Sequence, residues 1–533
     1  MKRIIVYDVT LRDGWQDPRK ELKIGLKDRV YKVLEDFRPD YIEACWPSSS
    51  ADDMEFIRKI NWDPRVVAFG STANPSNSLE DDNNLKDILA SGASVATIYG
   101  KTWEPHVTKV LGISLEENLE LIEKSVNFLR TAGLEVNYDA EHFFTGWKDN
   151  PGNAYETLRA ALRGGASSSI LCDTKGAAIP SDIRKVAEEL KQEFPDISLI
   201  FGIHSHNDSG LATANTLEFA DSMLEHYLQV QVQGTINGLG ERCGNANLCE
   251  IIPDLELKYN YDTGIDLSKI KMISKRVADI TGIPVPENSA FTGNLAFANK
   301  GGAHTDAQEK GATYYHIDPH IVGNSPKVLS GIQSGKANIM LWLKEFGYVD
   351  VSKKDSRVGH LLKRLKAMSE QGYDINGNMA ERMLLVDKYF SDDFGEYLFI
   401  KHFDTSEIRN YKGNHNPSAR TIIDGDLYYK GDVFPFLEIA ESKHGPVDSQ
   451  KLALLKILGS YYPETKDLIL VDYLPKISKE IGSESFMRVP IKLTDGEEVW
   501  ETIGLSDSIL EASFEALHKG FTYKLIKDKY RKV

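Results

Sequence analysis

Short apolar runs and longer mixed segments alternate regularly over the first half of the chain. Eight of these runs are rich in β-branched residues, and they read RIIVYDV, YIEAC, RVVAFGS, SVATIYG, LEVNYDA, SSILCD, SLIFGIH and VQVQGTI. Polar segments with helical spacing separate them, such as KIGLKDRVYKVLEDF and SDIRKVAEELKQEF. Eight β-then-α units predict an α/β fold, a TIM (β/α)8 barrel over residues 1–262. An open doubly wound sheet is the alternative, but such a sheet usually has fewer strands.

The pattern changes after the predicted barrel. Residues 263–403 contain helical segments around a glycine-rich polar patch, and they predict a helical accessory region that caps the barrel. Residues 404–420 are polar and interrupted by Pro and Gly, which is typical of a linker. Residues 421–533 predict a C-terminal α+β domain that binds a ligand or a second subunit. In this domain, Asp495-Gly496 predicts a hairpin turn, and the helix SDSILEASFEALHKG is predicted to end at Gly520.

Composition and charge narrow the classes of function. The chain has 533 residues, which is too long for one hydrophobic core and indicates several domains. A net charge of −16 and a pI near 5.4 argue against a nucleic-acid partner and favour a small-molecule substrate. No stretch approaches the roughly 20 apolar residues of a membrane span. Sparse cysteines without a CxxC pair are typical of a reducing compartment, so a cytoplasmic location is expected.

Polar side chains collect at the carboxyl ends of the predicted strands, where (β/α)8 barrels carry their active sites. His204 and His206 are one residue apart, so both point to the same face of the seventh strand. Paired imidazoles suit Zn, Mn, Fe or Ni, although two hydrogen-bonded histidines at a strand end would give the same pattern. The other polar residues at strand ends are Arg12, Asp13, Glu43, Asp139, Glu141, Asp173 and Thr174. Together they predict a single site with metal-binding chemistry at the barrel mouth.

Several motifs in a fixed order resemble those of the DRE-TIM metallolyase family. They are TLRDG after the first strand, HSHNDSGLATAN at the seventh, QVQGTINGLGERCGNANL at the eighth and KGGAH beyond the barrel. Within that family the chain is most similar to the citramalate synthases, with 2-isopropylmalate synthase and homocitrate synthase as relatives. The C-terminal segments GPVDSQKLALLKIL and DGEEVWETIGLSDSILEASFEAL resemble the regulatory, LeuA-dimer-like domain of those synthases. The resemblance covers nearly the whole chain.

The resemblance implies an acyltransferase that condenses acetyl-CoA with an α-keto acid and then hydrolyses the thioester. The implied keto acid is pyruvate, which gives citramalate for isoleucine and other branched-chain amino acid biosynthesis. A keto acid chelates a divalent cation through two oxygens, which polarises its carbonyl carbon for attack. The implied cation is Mn, Zn or Mg, and the implied ligands are Asp13, His204, His206 and Asn245.

The resemblance also implies roles for residues beside the metal. Arg12 would stabilise the oxyanion that develops during attack, and Thr174 would hold the keto acid carboxylate. Glu141 would be the base that removes a methyl proton from acetyl-CoA. Glu43 would orient Arg12. The residues predicted to bind substrate are Arg12, Glu43, Asp139, Thr174 and Asp306.

A cap over the barrel mouth is the last implied part of the site. His304 would assist the base, and it would come from the partner subunit of a homodimer. Asp306 and Tyr314 (or Tyr315) would complete the cap by positioning water and thioester. The predicted catalytic residues are therefore Arg12, Glu141, His304 and Tyr314.

Departures from the family pattern leave the substrate open, and one of them is that FGSTANP lacks the basic pair that often follows FGST. Lys175 replaces the usual Asn; it either adds a cation beside the keto acid or points to solvent. Trp15 either narrows the pocket or stacks on a planar acid, and Asn299 replaces a usual His. The alternatives to pyruvate are 2-oxoisovalerate, as in 2-isopropylmalate synthases, or a specialised doubly charged keto acid.

Two further alternatives concern the class of protein. A lyase that runs the reverse cleavage is disfavoured, because family lyases generally lack the C-terminal regulatory domain. A non-catalytic, effector-binding homologue is disfavoured because Arg12, Asp13 and both histidines are retained. For the C-terminal domain, the resemblance implies feedback control by a branched-chain amino acid, with isoleucine as the logical effector.

Overall fold

The fold is described from a computed structural model of the full chain. The structure describes residues 2–299, 315–328, 335–370, 373, 378–391, 397–408, 418–477 and 486–530. The chain divides into two compact units. The first comprises Met1–Phe297 and His316–Ser325, and the second comprises Ala298–Tyr315 and Pro326–Val533.

Eight parallel strands close into a barrel in the first unit, in the order β1 to β8. They are β1 (Arg3–Asp8), β2 (Tyr41–Cys45), β3 (Val66–Ser71), β4 (Val95–Lys101), β5 (Glu135–Glu141), β6 (Ser168–Asp173), β7 (Phe201–Ser205) and β8 (Gln229–Gly234). The barrel closes where β1 pairs with β8, in a register that places Ile4 opposite Val230. Each strand coincides with a run predicted from the sequence, so the predicted TIM barrel is confirmed.

Helices connect the barrel strands, and two more helices follow the last strand. They are α1 (Lys27–Phe37), α2 (Ala51–Ile60), α3 (Asn83–Ser91), α4 (Leu115–Thr131), α5 (Phe143–Asp149), α6 (Pro151–Gly164), α7 (Pro180–Glu193), α8 (Ala212–Leu224), α9 (Leu248–Leu257) and α10 (Ile270–Thr281). A short π-helical turn, His106–Leu111, follows β4. In α1, Val30, Val33 and Leu34 recur with helical spacing, and all three are fully buried against the barrel. None of the helices among the described residues is long and apolar enough to cross a membrane.

Polar side chains inside the barrel form a hydrogen-bonded floor beneath the mouth. The Tyr7 hydroxyl on β1 donates to Glu43 on β2 at 2.7 Å. The same hydroxyl lies 2.7 Å from the Thr97 hydroxyl on β4. All three side chains are fully buried. Because buried polar groups are costly unless paired, this network fixes the strands beneath the site in one arrangement.

The second unit combines helices with two antiparallel sheets. Its elements are β9 (Ala298–Asn299), β10 (Lys327–Val328), α11 (Lys336–Glu345), α12 (Ser356–Glu370), α13 (Met379–Phe390), β11 (Leu398–Ile408), β12 (Ser418–Tyr429), β13 (Asp432–Ser442), α14 (Pro446–Gly459), β14 (Ile469–Tyr473), β15 (Lys476–Ile477), β16 (Met487–Thr494), β17 (Val499–Ser506) and α15 (Ile509–Tyr530). One sheet has the order β11-β12-β13; in the other, β16 pairs with β14, β15 and β17. The α+β character predicted for this region is confirmed.

Two features of the second unit bear on the predicted domain boundaries. Strand β11 runs to Ile408 and β12 begins at Ser418, so both overlap the predicted linker 404–420. Buried Glu381 on α13 accepts hydrogen bonds from the Ile503 backbone N–H at 2.7 Å and the Tyr373 hydroxyl at 2.9 Å. These contacts tie a helix of the predicted accessory region to strand β17. The division at residues 262, 403 and 420 stays a prediction.

Helix α15 differs from the sequence prediction at Gly520. The helix does not end there but continues to Tyr530. A Cβ atom on Gly520 would lie 2.5 Å from Leu493 Cδ1 and 3.1 Å from Thr502 Oγ1. The glycine therefore permits close packing of α15 against the sheet and does not terminate the helix. The prediction was wrong because the sequence alone does not distinguish these two uses of glycine.

Candidate active site and metal centre

Three side chains from the carboxyl ends of β1 and β7 meet at one point. His204 Nε2 lies 3.2 Å from Asp13 Oδ2, and His206 Nε2 lies 3.7 Å from the same oxygen. The two Nε2 atoms are 3.1 Å apart. All three side chains are buried, and one ligand atom from each lies within 4.8 Å of the others. Imidazole nitrogens and a carboxylate oxygen at these separations suit a divalent cation.

Asn245 lies beside these three residues. It forms an isolated backbone bridge with His206, and its Nδ2 donates to the Leu239 carbonyl at 3.0 Å. Its Oδ1 is buried and has no hydrogen-bond partner in the described part of the chain. Because a buried unpaired oxygen is costly, this atom is suited to ligate a cation. The donor set therefore fits a divalent cation, and these four residues stay the predicted ligands.

The loop that carries Asn245 depends on one glycine. Gly244 has a φ of +83°, and a Cβ atom there would lie 1.9 Å from the Gly238 carbonyl oxygen. No other residue fits this close approach in the left-handed region. The GLGERCGN segment thus brings Asn245 to the mouth through a turn that requires glycine.

Gln233 orients His204 from behind. Its Oε1 lies 2.8 Å from His204 Nδ1, and its Nε2 donates to Asp139 Oδ1 at 3.3 Å. With the amide oxygen as acceptor, Nδ1 of His204 carries the proton and Nε2 presents its lone pair to the candidate cation site. Burial, together with the negative charge of Glu43, raises the pKa of Asp139 to about 7. Asp139 therefore changes its protonation state near neutral pH.

The pKa values of Asp13 and His204 are shifted in opposite directions. Burial alone would raise the pKa of Asp13, but Arg12 and both histidines outweigh it and lower that pKa well below its usual value. Burial likewise would lower the pKa of His204, but Asp13 outweighs it and the pKa is raised. Asp13 is thus anionic at neutral pH, which is the state that binds a cation.

Arg242 connects three loops at the mouth. Its guanidinium lies 2.8 Å from Asp208 Oδ1 and donates to the Thr174 carbonyl at 3.0 Å. It also lies 2.6 Å from Nδ1 of His206. These contacts join the loops after β6, β7 and β8.

Arg12 lies between a carboxylate and an aromatic ring. Its Nε donates to Glu43 Oε1 at 2.6 Å, and its Nη1 lies 3.2 Å from Asp13 Oδ2. The guanidinium carbon stacks 3.8 Å from the centre of the Phe69 ring. Burial alone would lower the pKa of Arg12, but Glu43 and Asp13 raise it, so the group keeps its charge. A fixed, buried cation of this kind can stabilise negative charge that develops on a substrate oxygen.

A cavity of about 230 Å³ opens at this point of the mouth. It brings together seven predicted residues, namely Arg12, Asp13, Asp139, Glu141, Thr174, His204 and His206. The remaining lining residues are Gln16, Trp46, Phe69, Tyr99, Cys172 and Glu241. Glu43 is not one of the described residues that line the cavity. Its carboxylate is fully buried and lies behind Arg12. This position suits the predicted orienting role of Glu43 better than direct contact with substrate.

Glu141 and Thr174 both have partners at the cavity wall. Lys101, at the end of β4, lies 2.5 Å from Glu141 Oε2. The Thr174 hydroxyl accepts a hydrogen bond from the His142 backbone N–H at 2.8 Å. That bond leaves the Thr174 hydroxyl proton available to donate to a bound oxygen. Both residues keep the atoms that their predicted roles need.

Several predicted residues are not part of this geometry. His304, Asp306 and Tyr314 lie outside the described residues, as does the side chain of Asn299. Lys175 is exposed, its ammonium lies 3.8 Å from the centre of the Trp103 ring, and it is not one of the residues that line the cavity.

Trp15 is likewise directed away from the cavity. It donates from its indole N–H to the Leu22 carbonyl at 3.1 Å and packs against the barrel core. Within the described part of the chain, neither Lys175 nor Trp15 lines the substrate cavity.

Sequence reasoning missed several contributors to the site, among them Gln233, Lys101 and two aromatic residues. Gln233 alternates with Val232 on β8, so the two-residue period of a strand could have placed it inside the barrel. Lys101 ends β4 directly beside Glu141 in the strand register, a pairing that only the closed barrel reveals. Phe69 on β3 and Tyr99 on β4 are uncharged aromatic residues, and such residues are as typical of a barrel core as of a site.

Comparison with known proteins agrees with this geometry. Residues 3–277 match the HMGL-like family, and residues 395–525 match the LeuA allosteric (dimerisation) domain. The chain therefore belongs to the HMGL-like family. It is 37% identical to the (R)-citramalate synthase of Aquifex aeolicus, over 99% of this chain and 98% of that protein. It is 36% identical to the (R)-citramalate synthase of Sulfolobus acidocaldarius, with the same coverage.

A related synthase is more distant. The 2-isopropylmalate synthase of Acetivibrio thermocellus is 28% identical over 96% of each chain. These comparisons confirm the resemblance to citramalate synthases that the motifs predict. The match to the LeuA domain begins at residue 395, before the predicted linker.

Proposed function

We propose that the chain condenses acetyl-CoA with pyruvate to form citramalate and free CoA. The observation that carries the proposal is the cavity at the barrel mouth. There, a buried cluster of one aspartate and two histidines shares one space with the cation of Arg12 and the carboxylate of Glu141. Similarity to (R)-citramalate synthases over 99% of the chain supports this substrate pair. The product would supply isoleucine biosynthesis, and Mn, Zn or Mg would serve as the cation.

The site residues divide the chemistry between them. A divalent cation held by Asp13, His204, His206 and Asn245 would supply Lewis acidity that polarises the keto group. Gln233 binds Nδ1 of His204, so the Nε2 lone pair of that ring would be available to hold the cation.

The remaining steps belong to residues of the cavity wall. Glu141 removes a proton from the methyl group of acetyl-CoA, and the resulting carbon nucleophile attacks C2 of pyruvate. Arg12 donates to the oxygen that becomes negative as the carbon–carbon bond forms. Thr174 donates to the pyruvate carboxylate. The proton held by Glu141 passes to the alkoxide that forms on C2; water then adds to the thioester carbonyl, the carbon–sulfur bond breaks, and CoA leaves as the thiol with a proton from that water.

The aromatic wall supports a small keto acid. Trp46, Phe69 and Tyr99 pack against one another with ring centres 5.7 to 5.9 Å apart. Two of these rings also contact charged groups, since Phe69 lies beneath Arg12 and Tyr99 beneath Lys101. Because these rings pack against one another and against charged groups, they cannot easily move to enlarge the cavity. The methyl group of pyruvate therefore fits more readily than the branched side chain of 2-oxoisovalerate. Pyruvate is therefore favoured over 2-oxoisovalerate.

A second cavity at the mouth supports a site for acetyl-CoA. It has a volume of about 350 Å³ and includes Asn245, one of the predicted metal ligands. Gly238, Gly240 and Gly244 form part of its wall, which lets a ligand approach the backbone closely. Arg19 and Arg242 also line it, paired with Asp17 and Asp208 respectively, so phosphate groups would bind there by displacing those carboxylates.

The test is CoA release, followed with a thiol reagent, after acetyl-CoA, Mn or Mg and one keto acid are added to the full chain. The panel is pyruvate, 2-oxobutyrate, 2-oxoisovalerate, oxaloacetate and 2-oxoglutarate. Turnover with pyruvate that EDTA abolishes is expected. His204→Ala should lose bound metal and turnover together, whereas His320→Ala, at an exposed histidine, should keep both.

The other results have distinct meanings. Turnover restricted to 2-oxoisovalerate would make the chain a 2-isopropylmalate synthase. Turnover restricted to oxaloacetate or 2-oxoglutarate would indicate a doubly charged substrate. Metal binding without turnover on any acid would contradict catalysis and favour an effector-binding homologue.

A homodimer and an effector complete the proposal. Apolar side chains of β13 and β14 are exposed in the single chain, and Val433, Leu437, Ile469 and Val471 are each more than half exposed. Such a surface suits burial against a second copy, consistent with the dimerisation domain matched there. Isoleucine would be the effector, and the cap residues His304, Asp306 and Tyr314 would act across subunits. Sedimentation of the protein with and without isoleucine tests the homodimer and the binding of the effector.

A further inference from the structure

A second cluster of metal-ligating side chains lies at the barrel mouth, outside the four predicted ligands. One ligand atom each from His106, Glu141 and His142 lies within 4.8 Å of the others. The two imidazole rings meet edge to face, with centres 4.5 Å apart and planes at 81°. His106 comes from the π-helical turn after β4, whereas Glu141 and His142 follow each other at the end of β5. Two adjacent strands thus supply the three groups.

Each histidine of this cluster has one ring nitrogen without a hydrogen-bond partner among the described residues. In the part of the chain that the structure describes, Nδ1 of His106 and Nδ1 of His142 are both buried and unpaired. His142 is only 9% exposed as a whole. An unpaired polar atom away from water costs free energy, and a ligand that used it would recover that cost. Two imidazoles, each with an unpaired nitrogen, beside one carboxylate are an arrangement that a metal ion can satisfy.

The protonation state of the rings is compatible with ligation. Burial lowers the pKa of His142 to about 4 and also lowers the pKa of His106. Both rings are therefore neutral at pH 7, and neither must lose a proton before it binds a metal.

Positive charges around the cluster oppose a cation. The ammonium of Lys101 is 2.5 Å from Glu141, and that of Lys175 is 3.8 Å above the Trp103 ring, which contacts both imidazoles. A metal ion must therefore displace Lys101 from Glu141, and the affinity is lower than three such ligands would otherwise give. This competition suits a site that fills only when metal is in excess.

We propose that His106, Glu141 and His142 form a second, lower-affinity site for a divalent transition metal of the Zn²⁺ class. Two imidazoles and a carboxylate select Zn²⁺ over Mg²⁺ or Ca²⁺, which prefer oxygen ligands. Occupation draws the Glu141 carboxylate away from the substrate cavity, so excess Zn²⁺ inhibits the enzyme. The binding site stands on the geometry alone, and only the inhibition rests on the proposed function.

The first test is Zn²⁺ binding to the full chain by competition with a chromophoric chelator at pH 7.5. The wild type is expected to bind one Zn²⁺ tightly and a second more weakly. His106→Asn and His142→Asn are each expected to lose the weak site and keep the tight one, whereas Asp13→Asn should lose the tight one. Two independent variants guard against a folding defect in either, which circular dichroism would detect. A single Zn²⁺ in the wild type, or a weak site that persists in both variants, would overturn the proposal.

Lys101 and Lys175 provide an independent check. Lys175→Asn removes a positive charge and should increase the affinity of the weak site for Zn²⁺ by up to about tenfold. That factor corresponds to about 1.4 kcal/mol. Lys101→Met frees Glu141 and should increase that affinity further. Weaker binding in both variants would contradict the competition. Mg²⁺ at the same concentrations should not occupy the site.

Inhibition is measured separately through CoA release. With Mn or Mg saturating, added Zn²⁺ should slow the wild type, and His106→Asn should resist that effect relative to its own rate. If the weak site binds Zn²⁺ but the chain shows no turnover, the proposed function fails and the second site stands. If turnover is normal and Zn²⁺ inhibits His106→Asn as strongly as the wild type, the inhibitory role is wrong.

Discussion

The amide oxygen of Gln233 lies 2.8 Å from Nδ1 of His204, and the amide nitrogen of the same side chain donates to Asp139. One buried glutamine thus fixes both the tautomer of a predicted metal ligand and the position of a carboxyl group that titrates near pH 7. Gln233→Leu keeps the size but removes both hydrogen bonds. We expect metal affinity to fall by about 10–100-fold, which is typical when a partner behind a ligand is lost. Competition with a chelator measures this directly.

Gln231 offers a matched control on the same strand. It is also buried in the barrel interior, two residues before Gln233, but it makes no contact with His204 in the described structure. Gln231→Leu should leave metal affinity within a few fold of the wild type. Equal losses in the two variants would mean that repacking of the barrel interior, not orientation of His204, sets the affinity.

Arg12 should not tolerate lysine, although the charge is kept. Lysine cannot reproduce the bond from Nε to Glu43, nor the planar stacking on Phe69. We expect Arg12→Lys to lower kcat by about 10²–10³-fold, the usual loss when one donor to a developing oxyanion is removed. Steady-state kinetics with pyruvate and acetyl-CoA test this.

The control for Arg12 is another paired arginine. Arg65 forms a double hydrogen bond with Asp63 away from the cavity, so Arg65→Lys should leave kcat near the wild-type value. Metal content should be unchanged in both variants. An Arg12→Lys enzyme with near-normal kcat would show that the guanidinium does not face the reacting oxygen.

The barrel, and the meeting of Asp13, His204 and His206 at its mouth, could be predicted from sequence because period and position are local properties. His204 and His206 share a face through the two-residue period of a strand, and barrel topology brings them to Asp13 at the opposite end of the domain. The neighbours of these residues could not be predicted, because they depend on register between strands. Lys101 meets Glu141 only because β4 and β5 pair in one particular register.

The departures from the family pattern show a second limit. Lys175 is conspicuous in the sequence, yet its ammonium stacks on Trp103 outside the cavity lining. Residue type and position in the sequence do not determine the direction in which a long, flexible side chain points. Only packing against a neighbour decides it.

Asp8 should make the protein less stable as the pH rises. The side chain is fully buried, and burial raises its pKa from 3.8 to about 7, although hydrogen bonds from Thr10 partly offset this. The folded protein therefore binds a proton between about pH 4 and pH 7 that the unfolded chain does not. The resulting stability is complete below about pH 4 and is lost as the pH rises through about 7. Asp8→Asn should flatten this decline.

The measurement is urea unfolding at pH 5 and pH 8 with EDTA present, so that metal binding does not contribute. Asp139 titrates in the same range in both proteins, so the difference between the two profiles isolates Asp8. The wild type should lose more unfolding free energy than Asp8→Asn between the two pH values. Parallel profiles would show that Asp8 is ionised in the folded protein at both.

Gly520 and Gly359 should respond in opposite ways to the same substitution. Both lie inside helices, Gly520 in α15 and Gly359 in α12. A Cβ atom at 520 would lie 2.5 Å from Leu493 Cδ1, whereas one at 359 would meet nothing within 4 Å. Gly520→Ala is expected to cost about 1–3 kcal/mol through overpacking against the sheet. Gly359→Ala is expected to increase the free energy of unfolding by about 0.5–1 kcal/mol, because alanine favours the helix. Thermal unfolding of the two variants shows whether Gly520 is needed for close packing or for ending the helix. If Gly520→Ala proved neutral or stabilising, the close approach of α15 to β16 would not be what selects glycine there.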